Sequence, residues 1–152
     1  MSRVERTRTR IAGFQSPEMD FQLMRWLGAA SFGGGEVGEI FAARAAMGSE
    51  DPRAWPPSFA ALADRLRAAG EDAARRGQRV SARDHFLRAS MYYRSAEYFA
   101  DPFGRTAQQW GCASREAFVK AAAHMAERVE AVEISFEGKA LPGYFMTPAA
   151  RS

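Results

Sequence analysis

One cysteine, Cys112, in 152 residues excludes an internal disulfide and any zinc site built mainly from thiolates. Histidine is almost as scarce. His85 and His124 lie far apart on separate helical stretches, with neither an H-E-x-x-H arrangement nor a third ligand, so no metal is expected. Cofactor motifs are missing too. Gly33-Gly34-Gly35 lacks the Lys-Ser/Thr of a phosphate-binding loop, and no strand leads into a G-x-G-x-x-G turn. The three glycines therefore read as a flexible connector, and no cofactor is expected. No apolar run reaches the roughly 18 residues of a membrane span. Met1 to Arg10 is basic but lacks the apolar stretch of a signal peptide, which predicts a cytoplasmic protein without membrane contact.

Lysine is the next shortage: Lys120 and Lys139 are the only lysines among 21 basic residues. The net charge of +3 is small. Arg3, Arg6, Arg8 and Arg10 sit in the N-terminal segment, and the other arginines interleave with acids as on solvated helix faces. Nucleic acid is not an expected partner. What is present is ordinary globular composition, 47% hydrophobic and 26% charged, at the length of one domain.

Helical periodicity dominates up to about residue 130. Ser16-Pro17-Glu18 supplies a cap, a proline and an acid at a helix start, and Gly28 stops that helix after Leu27. Val37, Ile40 and Phe41 share a face of a second. Asp51-Pro52 and Trp55-Pro56-Pro57 read as a break before a long amphipathic helix with Phe59, Leu62, Leu66, Ala69 and Ala73 on its stripe, ended by Gly77. Ser81-Ala82-Arg83-Asp84 approximates a capping box for a fourth helix, closed by Asp101-Pro102. Helices three and four form an antiparallel pair. Ser114 is expected to cap a fifth helix bearing Phe118, Ala122, Met125 and Val129.

The period then changes to two. Val132, Ile134 and Phe136 alternate with polar residues, and after Gly138-Lys139 the run Leu141 to Met146 supplies a second strand, in which Pro142 demands an edge or a bulge. The fold class is mainly α: about five helices and a C-terminal β-hairpin. The expected divisions are a flexible 1–15, a helical domain over 16–130, the hairpin over 131–147 and a tail over 148–152. A lone hairpin is marginal in water. Uncovered, Val132, Ile134, Phe136, Tyr144 and Phe145 leave an apolar patch, so Phe136, Tyr144 and Phe145 are candidate interface residues.

Three stretches carry a resemblance: GGGEVGEI from Gly33 to Ile40, RVSARDHFLRASMYYRSAEYF from Arg79 to Phe99, and VEISFEGKALPGYF from Val132 to Phe145. From about Phe21 onward the chain resembles the N-terminal part of the α/β-hydrolase family that includes fermentation-respiration switch esterase and 2,6-dihydroxypseudooxynicotine hydrolase. The resemblance implies a helical cap that covers a hydrolase core, and a hairpin that forms the core's first strands. It implies hydrolysis of an ester, or of a carbon–carbon bond beside a ketone. The family's G-x-S-x-G nucleophile elbow, acid and late histidine are absent from these 152 residues, so no catalytic residue transfers.

Tyr92, Tyr93 and Tyr98 are the candidate substrate-pocket residues, with helix packing as the simpler role for an aromatic series. Arg88, Arg94 and Glu97 on the same helix offer a possible carboxylate clamp. Ser81, Asp84 and His85 make a poor catalytic cluster because Asp84 and His85 point to different faces. The expected partner is a hydrolase core, in cis or trans, or a second copy joined through the hairpin. A freestanding helical binding module is the alternative function, and a small enzyme reusing the aromatic surface a further one.

Overall fold

The computed structural model describes residues 13–148 and is mainly α, with five α-helices and one two-stranded sheet among them. Helix α1 spans Pro17–Gly28 and runs on into a 3-10 turn, Ala29–Phe32. Helices α2 (Val37–Met47), α3 (Trp55–Arg75), α4 (Arg79–Tyr98) and α5 (Arg105–Ala122) follow, then β1 (Arg128–Phe136) and β2 (Lys139–Thr147). Arg3, Arg6, Arg8 and Arg10, most of the expected flexible start, and residues 149–152 of the expected tail lie outside the described residues. None of the described helices is long and apolar enough to cross a membrane.

Helix α1 begins as its sequence dictates: Ser16 Oγ accepts the Met19 N–H, and Pro17 follows. Helix α3 begins earlier than a proline pair suggests. Trp55-Pro56-Pro57 is its first turn and not a break, because the first N–H groups of a helix have no intrahelical partner for a proline to remove. Trp55 is wholly buried, stacks on Phe59 at 4.5 Å, and gives its indole N–H to the Ser95 carbonyl (3.0 Å).

Two other starts differ from expectation. Helix α4 opens at Arg79, and Ser81 is an exposed residue of its first turn that caps nothing. Asp84 pairs with Arg83 on its own helix. Helix α5 opens at Arg105, nine residues before Ser114, which is a buried mid-helix residue. Its hydroxyl donates to the Ser90 carbonyl (2.9 Å) and lies 3.1 Å from Ser90 Oγ, a polar tie between α4 and α5. A serine and a small-residue run read as a helix start in sequence; here they are a close crossing of two helices.

Helices α3 and α4 form the expected antiparallel pair, joined at Gly77 with φ of +72°. At their crossing Gly70 meets the Phe86 ring, where an added Cβ would lie 2.8 Å from the ring carbons. One core joins α1 to α5 around Met19, Leu23, Ile40, Trp55, Phe59, Ala89 and Tyr92, and a smaller cluster gathers Ala73, Ala82, Phe86 and Ala121.

Helix α5 ends at Ala122, so Met125 lies beyond it and Val129 belongs to β1, not to the helical face assigned to it. The hairpin turns at Glu137 and Gly138, both with positive φ (46° and 75°), as a two-residue primed turn demands. Pro142 pairs with Glu133. Counted from that turn, this pair exchanges no backbone hydrogen bonds, so the missing N–H lies on the outer side of β2.

Candidate functional site

Helix α4 brings the sequence-predicted tyrosines to three different environments. Tyr92 is fully buried, accepts the Glu36 N–H at 2.8 Å and donates to Glu39 Oε2 at 2.9 Å. Burial, with the Glu39 carboxylate beside it, pushes its pKa far above the usual phenol value. Tyr93, also buried, faces α3 and donates to Asp64 Oδ1; burial and that carboxylate likewise raise its pKa. Neither ring borders a described cleft. Both act in packing and hydrogen bonding within this chain, and both stay protonated through ordinary pH.

Tyr98 alone is open to solvent, and its hydroxyl donates to Glu18 Oε1 (2.8 Å). It lines a cleft of about 270 Å³ with Arg94, Glu97 and Pro102. Arg94 and Glu97 form an ion pair one turn apart. The clamp residues are thus divided, since Arg88 turns toward α2: its guanidinium Nε is 3.2 Å from Glu39 and its NH2 group 3.0 Å from His85 Nδ1. His85 is held below its usual pKa by burial and by the Arg88 charge, with Glu39 and Asp84 opposing. Ser81, Asp84 and His85 do not converge.

Gly34 and Gly35 rest on α4, where an added Cβ would meet Met91 Cγ at 3.3 Å and the Tyr92 hydroxyl at 3.3 Å respectively. The glycines are therefore a packed joint, not a flexible connector. The Tyr92 hydroxyl occupies the Glu36 N–H at the start of α2, where an anion would otherwise bind. No group of three or more His, Cys, Asp or Glu side chains converges as a metal site among the described residues.

The hairpin residues also divide. Strand alternation and the pairing of Ala131 with Tyr144 and Glu130 with Phe145 put Tyr144 on one face and Phe136 and Phe145 on the other. Tyr144 turns inward, its ring 4.7 Å from Phe118 of α5. Phe136 (57% exposed), Phe145 (59%), Ile134 and Leu141 form the outer face. Of the five-residue patch expected from the sequence, Val132, Ile134, Phe136 and Phe145 thus share the outer face and Tyr144 alone lies on the inner one. Between the inner face and α4 and α5 opens a cleft of about 760 Å³, walled by Arg94, Ser114, Arg115, Phe118, Glu133 and Tyr144. Nothing in the sequence marked Arg115 or Ser114 as cleft residues, because that depends on where the hairpin crosses α5.

No family model matches the chain. Among curated proteins it is similar to the α/β-hydrolase pydG of Acremonium sp, at 40% identity over 134 residues that make up 85% of this chain and 30% of that protein. The α/β-hydrolase xenA of Xenoacremonium sinensis is 36% identical over 130 residues, 85% of this chain and 31% of that protein. The hydrolyase poxO of Penicillium oxalicum is 39% identical over 85 residues, 56% of this chain. The chain thus spans less than a third of the length of these relatives. Over most of its residues it is a partial region of that α/β-hydrolase family.

Proposed function

We propose that the helices and hairpin are the cap and first strand pair of an α/β-hydrolase whose nucleophilic serine lies outside this sequence. The observation that carries this reading is the hairpin: Ile134, Phe136, Leu141 and Phe145 are all exposed on its outer face, and Tyr144 and Met146 remain exposed on the inner face beside Glu133 and Ser135. A contiguous exposed apolar face calls for a cover, and a two-stranded sheet is marginal without one. A hydrolase core would extend and cover this one. The helices would then close over the reacting serine and hold a small aromatic, ester or ketone substrate there, leaving room for the one water that hydrolysis consumes.

A fluorophosphonate probe, which labels an activated serine, is expected to leave the isolated 152-residue chain unlabelled and to label the native polypeptide that carries this sequence. Labelling of the isolated chain, or a native polypeptide that never labels, overturns the reading. The same exposed outer face favours one second reading, a binding module that pairs its hairpin with that of another copy. A native product no larger than this chain, unlabelled and dimeric, selects that reading.

A further inference from the structure

The outward faces of α3 and α5 carry charge, Asp64 and Arg65 on one, Arg115 and Glu116 on the other. Helix α1 differs. Its inner face is the buried Met19, Leu23 and Trp26, and the opposite side, Pro17, Phe21, Met24 and Gly28 at spacings of four, three and four, is apolar as well and exposed. Phe21 is 64% and Met24 45% exposed, and Phe32, on the turn that continues α1, stands 90% exposed beside Gly28. A helix apolar on both sides belongs between two layers, and the described residues supply only one.

The charges of the same helix say what covers it. Glu18 and Arg25 are both exposed and lie seven residues apart, hence within about 20° of each other on one flank of the stripe. We propose that a second copy of this chain covers α1, the two helices packing antiparallel across a two-fold axis with Phe21 of each copy against Met24 of the other. That axis runs perpendicular to both helices and keeps the flank on one side, so Arg25 of each copy lies level with Glu18 of the other and two ion pairs close the rim. A parallel pair would set Glu18 level with Glu18. The Tyr98 hydroxyl, donating to Glu18 Oε1, holds that carboxylate at the rim. Gly28, where an added Cβ would meet nothing within 4 Å, leaves room for Pro17 of the other copy. A contact of one 12-residue helix and Phe32 is smaller than the roughly 800 Å² per partner of a standard interface, so the pair is expected to form at tens of micromolar. It goes beyond the hydrolase reading, because it uses α1 alone and needs no reacting serine.

The test is sedimentation equilibrium of the 152-residue chain at hundreds of micromolar, carried out in Phe136→Asp so that hairpin pairing does not contribute. That variant is expected to be a dimer, and adding Phe21→Asp, at an exposed side chain, is expected to return it to a monomer with an unchanged melting temperature. Arg25→Glu is expected to weaken the dimer about ten-fold, since two attractions become two repulsions, and Glu18→Arg in the same chain is expected to restore most of the loss. The charge exchange keeps the proposal testable should Phe21→Asp fail to fold. A monomeric Phe136→Asp, a dimer that survives Phe21→Asp, or a double exchange that restores nothing overturns the proposal. So does a native polypeptide that carries this sequence as a monomer, whose remaining length would then be what covers α1. Fluorophosphonate labelling of that polypeptide is read separately, so loss of the dimer and loss of the hydrolase reading are told apart.

Discussion

At the scale of single residues, the structure turns on side chains that join elements far apart in sequence. Gly70 is one: a methyl there collides with the Phe86 ring at 2.8 Å, and that ring is stacked on His124 behind it. Gly70→Ala is expected to destabilise by about 1–3 kcal/mol despite alanine's better helix propensity, read by urea or thermal unfolding. Tyr92 is another. Tyr92→Phe leaves the Glu36 N–H and a Glu39 oxygen without their partner and is expected to cost about 1–3 kcal/mol. His85 adds a pH dependence whose sign follows from its depressed pKa. The unfolded chain takes up the proton first, so the stability held above about pH 6.5 is lost as pH falls from there through the folded-state value. His85→Gln should flatten the stability curve over that interval, and an unchanged curve would remove His85 as its source.

At the scale of elements, the errors of sequence reading concern where helices begin and, for α5, where it ends. Capping residues mark a start only when the chain around them leaves the helix, and the same hydroxyl inside a helix can serve a neighbouring helix instead. Ser81→Ala is therefore expected to change stability by less than about 0.5 kcal/mol, where a true cap would lose about 1. Ser114→Ala should be costly and coupled: in a double-mutant cycle with Ser90→Ala the interaction is expected to exceed about 0.5 kcal/mol. Zero coupling would deny the contact between the two hydroxyls, while the bond to the Ser90 carbonyl is read by Ser114→Ala alone. The α1 start and the hairpin were legible because Ser16-Pro17 and the change to a two-residue period are local signals. The α5 start was not, since Gly104 and Arg105 carry no capping side chain.

At the scale of the molecule, the helices form a closed core while the hairpin stands largely clear of them, held through Tyr144 on Phe118. The two hairpin faces should respond differently to charge. Phe136→Asp and Phe145→Asp are expected to reduce self-association of the isolated chain, measured by sedimentation, with little change in melting temperature. Tyr144→Asp should lower the melting temperature instead, because it breaks the contact with α5. If all three act alike, the division into an inner and an outer face is wrong.

The sequence by itself determined the class of the fold, the number of helices, the antiparallel α3–α4 pair, the hairpin and its kinship, because each is written in periodicity, turn residues or matched stretches. It also determined that the nucleophile elbow is missing. Only the tertiary structure decided that Tyr92 and Tyr93 are structural ties, that Arg88 and Arg94 have different partners, and that Tyr144 parts company with Phe136 and Phe145. The reason is physical: a side chain's role depends on what another element brings to within about 3–4 Å of it, and no local pattern records that distance.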